Sequence, residues 1–172
     1  MSPVRPCEVP LNSFLRRYKD GDGFADCYVA EVPGAVSQEA FVKAFYTSPL
    51  FKIERTILAG LASRPASDAD ASRLAAGHAS TFSAWRVESQ SPSELLLADI
   101  TGRTRSWLAV KRAGSASQDV STLLYFGSAD VTRQSSAGAK PSMGWLFHAL
   151  MGFHRLYSRL LLSAASRRVV SA

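Results

Sequence analysis

Residues Gly144–Ala165, with the sequence GWLFHALMGFHRLYSRLLLSAA, form the longest helical pattern in the chain. Ser142 lies just before this stretch and suits a helix N-cap, because its hydroxyl can accept a hydrogen bond from a backbone N–H of the first turn. At about 100° per residue, apolar side chains cover most of the helix surface. The central apolar stripe comprises Leu146, Leu150, Phe153, Tyr157, Leu160 and Ala164, and the narrow polar remainder comprises His148, Gly152, Arg155, Arg159 and Ser166. The pattern predicts a mostly buried helix.

His154 lies away from the polar remainder of this helix, beside Ser158 and Leu161. Two interpretations stay open for it. It is either a half-buried histidine that is hydrogen-bonded to its surroundings, or a polar group that orients a ligand in an otherwise apolar pocket. Histidines and arginines interrupt the stretch, and arginine is costly at the centre of a bilayer. We therefore expect no stable membrane insertion, while a helix lying on a membrane surface stays open as an alternative.

Composition favours one globular domain. The chain has 172 residues, of which 47% are hydrophobic, enough for a sizeable core. Its net charge is +6, but the basic residues are scattered and form no dense patch, so we expect no nucleic-acid partner. There are two cysteines, Cys7 and Cys27, and no secretory signal pattern, which favours a cytoplasmic protein with reduced thiols. The two could bridge, but the sequence does not place them near each other.

Upstream of the long helix, the sequence predicts strands and short helices. Strands are predicted at 24–32, 81–90, 94–101, 103–112 and 120–132, and short turns between the last four make them antiparallel. Helices are predicted to begin after Ser37, near Leu50 and after Ser67, the last closed by Gly77. We expect an arm at 1–23, a domain at 24–166 and a tail at 167–172. An antiparallel sheet needs its apolar face covered, so the order predicts an α+β helix-grip fold, a curved antiparallel sheet wrapped around the long C-terminal helix.

Several segments carry a resemblance to a known family. They are FADCY (24–28), FVKAFYTSPLFKIER (41–55), ELLLADITGRTRSWLAV (94–110), LLYFGSA (123–129) and FHALMGFHRLYSRLLL (147–162). Together they resemble a bacterial domain-of-unknown-function family within the START-like, or SRPBCC, superfamily. The resemblance covers about 24–165 and implies a helix-grip sheet, often with an apolar cavity beneath the last helix. It implies no catalytic residues, and members of the superfamily bind very different molecules, so the functional analogy is weak.

Six residues are candidates for binding a ligand. Arg103, Arg105 and Trp107 would share one face of a strand, where two guanidinium groups can hold an anion while the indole ring stacks on a flat group. The alternative is that this face is structural, with the arginines solvated or paired with Asp99 or Glu88. The other candidates, Tyr125, His154 and Tyr157, could line a pocket, or the tyrosines could be core residues with satisfied hydroxyls.

The sequence contains no motif that names a reaction. It has no metal-binding histidine spacing, phosphate-binding loop or nucleophile elbow, and we expect neither a metal nor a cofactor. The leading hypothesis is a protein that binds a small hydrophobic or amphipathic molecule between the sheet and the C-terminal helix, with an anionic ligand among the alternatives. One alternative is a cyclase, hydratase or isomerase that uses His154 with Arg105 or Asp99. Another is an interaction protein that forms a homodimer, since Leu95 and Leu97 are opposed on the other strand face by Leu96 and Ile100.

Overall fold

The computed structural model describes residues 2–20, 24–53, 65–114, 120–131 and 144–171, with the side chains of the last segment described from residue 155. The strands are β1 (Arg5–Pro6), β2 (Phe24–Pro33), β3 (Thr81–Phe82), β4 (Trp85–Gln90), β5 (Glu94–Asp99), β6 (Thr104–Ala113) and β7 (Ser121–Asp130). The helices are α1 (Arg16–Lys19), α2 (Gln38–Tyr46), α3 (Asp68–Ala75) and α4 (Gly144–Val170). Residues 49–53 are also helical.

The strands form one curved, open, seven-stranded antiparallel sheet in the order β1-β2-β7-β6-β5-β4-β3. Strand β7 is paired along its full length with β2 on one side and β6 on the other. The predicted α+β fold, with a curved sheet and a long C-terminal helix, is confirmed. The predicted strand at 81–90 is divided into β3 and β4 by a bend at Ser83, whose φ of 53° is rare for a residue other than glycine. Among the described helices, none is long and apolar enough to cross a membrane.

The starts of two predicted helices are confirmed by their caps. The Ser37 hydroxyl accepts a hydrogen bond from the amide of Ala40 at the start of α2. Helix α3 begins with a capping box between Ser67 and Asp70, and the hydrogen bonds from Ser67 lower the pKa of Asp70 to about 2. Gly77 follows α3 with a φ of 76°, as a C-terminal glycine does. The predicted helix near Leu50 is described only as far as Ile53. Ile53 was expected in the core but is 61% exposed, so that part of the prediction is wrong, and the rest of this helix lies outside the described residues.

One face of the sheet, called the helix face below, is covered by α2, α3 and α4. Helix α2 supplies the centre of this core with three aromatic residues. The ring of Phe45 lies 4.9 Å from that of Phe126 on β7, and the ring of Tyr46 lies 5.2 Å from that of Phe82 on β3. The apolar residues beneath them alternate along the strands, as period-two burial requires. The buried strand residues of this cluster are Tyr28, Ala30, Val32, Phe82, Leu95, Leu97, Leu108, Leu124 and Phe126.

Helix α4 is buried along a different stripe from the one that the apolar pattern predicts. Its buried residues in the described part are Ser158, Leu161, Leu162, Ala165 and Ser166. Leu160, predicted at the centre of the buried stripe, is 49% exposed, so that part of the prediction is wrong. Ser166, predicted to be polar surface, is buried because its hydroxyl donates to the carbonyl of Leu162 at 2.8 Å and so needs no solvent. The helix also extends past its predicted end, to Val170.

The opposite face of the sheet, called the arm face below, is covered by the N-terminal residues. This second core contains Val9 and Leu15 from the arm, together with Ala25, Cys27, Leu96, Trp107, Ala109 and Ala129 from the strands. Leu96 and Trp107 are buried by this packing. The apolar strand residues that suggested a homodimer are thus largely covered by the chain itself, although Ile100 stays exposed. The homodimer stays a prediction without that support.

Gly127 on β7 is the position where the arm approaches the sheet most closely. A Cβ atom added there would lie 2.5 Å from Cδ2 of Leu15 and 2.9 Å from the carbonyl oxygen of Asp26. Real Cβ contacts are not this short, so a side chain at this position would push the arm away or distort β2. The absence of a side chain at Gly127 therefore allows Leu15 to be buried.

We predict that Gly127→Ala lowers the free energy of unfolding by about 1–3 kcal/mol, because it overpacks the contact with Leu15. In urea unfolding, Gly127→Ala combined with Leu15→Ala should cost less than the sum of the two single changes, since the main clash is then removed. Gly34→Ala is the control for coupling, because a Cβ there meets nothing within 4 Å and its cost comes only from the local backbone, whose φ is 82°. It should show no coupling to Leu15→Ala, and strict additivity at Gly127 would contradict the prediction.

Candidate functional site

A row of polar side chains crosses three neighbouring strands on the helix face. Asp26 on β2 is in register with Ser128 on β7, which is in register with Ser106 on β6. The hydroxyl of Ser128 donates to Oδ1 of Asp26 at 2.6 Å. Ser106 and Ser128 are buried, and Asp26 is partly buried. We call Asp26, Ser128 and Ser106 the polar row; it lies at one end of a face whose centre is apolar.

Two tyrosines extend the polar row. The hydroxyl of Tyr28, two residues along β2, donates to Oδ2 of Asp26 at 3.3 Å. The hydroxyl of Tyr46 on α2 lies 3.5 Å from the Ser106 hydroxyl. Burial, followed by the nearby charge of Asp26 and the hydrogen bond to it, raises the pKa of Tyr28 to about 12. Arg159 of α4 lies over the Tyr28 ring, 5.7 Å from its centroid, and lowers this pKa in part.

Helix α4, which packs on β2 and β7, carries one buried polar group of interest. The hydroxyl of Ser158 is buried and has no hydrogen-bond partner among the described residues, although a hydroxyl can both donate and accept. Ser158 lies one residue before Arg159, in the helix that packs on β2, β7 and α2. The indole N–H of Trp85 and Oε1 of Gln38 are likewise buried without a partner among the described residues. Buried polar atoms of this kind are few in native proteins and call for an explanation.

The predicted site residues are divided between the two faces of the sheet. Arg105, Trp107 and Tyr125 lie on the arm face, while Tyr157 packs against the helix-face core. Arg103 is exposed in the turn just before β6. The side chain of His154 lies outside the described residues. One site on either face cannot contain both Arg105 and Tyr157, because the sheet lies between them.

Arg105 is fully engaged on the arm face. Its Nε lies 2.6 Å from Oε2 of Glu88, and the same nitrogen donates to the Tyr18 hydroxyl at 3.0 Å. The guanidinium group also lies 4.9 Å from the centre of the Tyr18 ring and donates to the carbonyl of Gly102. Only 12% of its side chain is exposed. Glu88 accepts further hydrogen bonds from Tyr18 and Arg17. This network joins α1 to β4 and β6, in agreement with the structural interpretation of Arg105 as a partner of Glu88.

Trp107 is held by the same arm. Its indole N–H donates to Oε2 of Glu94 at 2.8 Å, and the same oxygen accepts the backbone N–H of Phe14 at 2.9 Å. Tyr125 packs beside it, with ring centroids 6.0 Å apart, and burial raises the pKa of Tyr125. Trp107 is 1% exposed, so its ring faces protein and no solvent-filled pocket. A ligand-binding role for these residues stays a prediction.

Asp99 organises the turn between β5 and β6. Oδ1 accepts the backbone N–H groups of Arg103 and Thr104, and Oδ2 accepts from Thr101. Burial raises the pKa of Asp99, but the hydrogen bonds from Thr101, Thr104 and Arg103 outweigh it, so the pKa lies below its usual value. A carboxylate stabilised in this way is a poor general base, because its affinity for a proton is reduced.

Other features of the described residues give no stronger site. A groove of about 270 Å³ lies between α3 and β3, lined in part by Asp70, Arg73 and Ser83. Arg73 is paired there with Asp70 at 2.7 Å. In the part of the chain that the structure describes, no three histidine, cysteine or acidic side chains are grouped to hold a metal ion.

The sequence analysis did not identify the polar row, although the sequence shows the part of it that lies on β2. Strand alternation places Asp26 and Tyr28 on one face of β2. The other half depends on register, because Ser128 and Ser106 are distant in the chain and meet Asp26 only through strand pairing. Comparison with protein-family models, curated proteins and solved structures gives no match to this chain.

We predict that replacing Glu94 by alanine destabilises the protein by about 1–3 kcal/mol for each buried donor left without an acceptor. The donors are the indole N–H of Trp107 and the amide of Phe14. Glu94→Gln is the matched control, because it keeps an acceptor oxygen and removes only the charge. Urea unfolding should show a large loss of unfolding free energy for Glu94→Ala and a small one for Glu94→Gln. Hydrogen exchange should show the same order for the loss of protection at the arm amides. An equal loss in both would assign the effect to charge.

We predict that Tyr28 makes stability fall in alkaline solution. A tyrosine in an unfolded chain titrates near pH 10, whereas folding raises the pKa of Tyr28 to about 12. The stabilising contribution is therefore complete below about pH 10 and is lost as the pH rises towards 12. Unfolding free energies of the wild type and Tyr28→Phe across this range should converge as the pH rises. The variant should also lose a tyrosinate absorbance that titrates near pH 12. Loss of an absorbance that titrates near pH 10 instead would overturn the assignment.

Proposed function

We propose that the protein binds a small amphipathic molecule at the polar row, between the sheet and α4. The observation that carries this proposal is the buried hydroxyl of Ser158, which has no partner in the described part of the chain and lies on the helix that packs over β2 and β7. Ligand sites are largely apolar surfaces with a few placed polar groups. The polar row and its two tyrosines supply such groups beside the aromatic side chains of α2.

A ligand with a neutral, hydrogen-bonding head suits these groups better than an anion. Asp26 already accepts hydrogen bonds from the hydroxyls of Ser128 and Tyr28. Its carboxylate would repel a second negative charge placed beside it. The guanidinium group of Arg105, which suggested an anionic ligand, is neutralised by Glu88 on the other face of the sheet. A phenol, alcohol or carbonyl compound with an apolar body is the class that we favour.

The proposal agrees with membership of the START-like superfamily, which we also propose from the order of elements. A strand, helices, an antiparallel series of strands and a last long helix occur in the order that the resemblance implies. This fold hosts many activities, so it supports no particular ligand. The alternative of a cyclase, hydratase or isomerase named Arg105 and Asp99, and both have structural partners.

Native mass spectrometry of the protein as purified tests the proposal, together with fluorescence titration by naphthol and by naphthoate, its anionic counterpart. We expect naphthol to bind more tightly than naphthoate. Ser158→Leu should weaken naphthol binding at least about tenfold, because it replaces the free hydroxyl and fills space.

Tyr125→Phe is the control for this titration, because it removes a hydroxyl from the arm face and should leave binding unchanged. Circular dichroism melting shows whether each variant is folded. If Ser158→Leu does not fold, Ser106→Val replaces it in the test. Valine is smaller than leucine, and the change removes a second hydroxyl of the region. Equal binding by the wild type and folded variants at both positions would overturn the proposal.

A further inference from the structure

The two cysteines of the chain face each other across a strand pair. Strand β1 pairs with β2 so that Pro6 is opposite Tyr28, and the next pair in this antiparallel register is Cys7 and Cys27. The amide of Cys7 donates to the carbonyl of Cys27 at 2.9 Å, and the two sulfur atoms lie 3.2 Å apart. Directly opposed residues of antiparallel strands have Cα separations of about 4.5–5.5 Å, within the range that a disulfide spans. Little backbone movement is therefore needed to join them.

The two thiols differ in exposure and in the direction of their pKa shifts, as expected for a pair in which one sulfur reacts first. Cys27 is buried on the arm face, whereas Cys7 is partly exposed. The hydrogen bond from Cys27 lowers the pKa of Cys7, with a smaller contribution from the positive charge of Arg5. The same hydrogen bond and burial raise the pKa of Cys27. The thiolate thus forms on the sulfur that a small oxidant can reach, and a protonated thiol stands beside it.

We propose that Cys7 and Cys27 are a redox-active pair that forms an intramolecular disulfide and fastens the N-terminal arm to the sheet. Hydrogen peroxide is the oxidant class, because it is small enough for a partly exposed sulfur. The Cys7 thiolate attacks one peroxide oxygen, the O–O bond breaks, and the hydroxide that leaves takes up a proton to become water. Cys7 is then a sulfenic acid. The Cys27 sulfur attacks the Cys7 sulfur, the S–O bond breaks, and a second water leaves with the Cys27 proton. In total, two thiols are oxidised and one peroxide is reduced to two waters.

The bridge encloses the part of the arm that covers the sheet. Residues between Cys7 and Cys27 include Val9 and Leu15 of the arm-face core and Tyr18, the partner of Arg105. Closing this loop removes conformations from the unfolded chain, and the folded geometry already brings the ends together. Oxidation therefore holds the arm in its docked position, and reduction leaves it held by packing and hydrogen bonds alone.

The test uses the full chain, reduced and then treated with hydrogen peroxide. Intact mass should fall by two hydrogen atoms in the monomer, and peptide mapping should find Cys7 joined to Cys27. The melting temperature of the oxidised protein should exceed that of the reduced protein by about 5 °C or more. Unmodified thiols, oxidation of Cys7 without bridging, or a bridge between two molecules would each overturn the proposal.

The single variants assign the roles of the two sulfurs. Cys27→Ser should stop at the Cys7 sulfenic acid, which dimedone traps, and should show no rise in melting temperature. Cys7→Ser should leave Cys27 unmodified under the same treatment, because that thiol is buried and protonated. Faster peroxide reaction at Cys27 in Cys7→Ser than at Cys7 in Cys27→Ser would contradict the assignment of Cys7 as the attacking sulfur.

Discussion

The burial of Leu15 against Gly127 is the contact on which the two-layered arrangement depends. The strands carry apolar residues on both faces, and an antiparallel sheet with two apolar faces needs a cover on each. Helices α2, α3 and α4 supply the first cover. The second is only a short arm with one turn of helix, which is too small to stay in place through helix propensity. Leu15 anchors it because Gly127 leaves room for its side chain at the backbone of β7.

The polar contacts around this anchor give the arm its register. Glu94 accepts from Phe14 and from Trp107, so one carboxylate joins the arm to two strands. Arg105 and Glu88 do the same for Tyr18, farther along the arm. Exposed ion pairs contribute little, but these groups are partly buried and hydrogen-bonded through several atoms, which makes each one costly to leave unpaired. Arg105 and Trp107, whose residue types suggested an anion site, here connect the N-terminal arm to the sheet.

The sequence predicted the features that depend on local order. Strand alternation, the caps at Ser37 and Ser67 and the glycine after α3 are all set by neighbours within a few residues, and the structure confirms them. Prediction from the sequence failed for features that depend on contacts with residues distant in the chain. The buried stripe of α4 could not be selected from the sequence, because leucines surround the helix and only its packing on β2, β7 and α2 determines which of them are buried. Likewise, nothing near Arg105 indicates that an arm 87 residues earlier in the chain provides its partner.

The arm and the polar row lie on opposite faces of the same two strands, β2 and β7. Cys27 and its register partner Gly127 face the arm, while their neighbours Asp26, Tyr28 and Ser128 face the helices. Because side chains alternate along a strand, any displacement of the backbone at residue 27 moves Asp26 and Tyr28 with it. The hydrogen bond from Ser128 to Asp26 is short, at 2.6 Å, and hydrogen bonds are directional, so this bond is sensitive to small shifts. A docked arm therefore fixes the geometry of the polar row from behind, and a bond between Cys7 and Cys27 would act on the segment of β2 that also carries Asp26 and Tyr28.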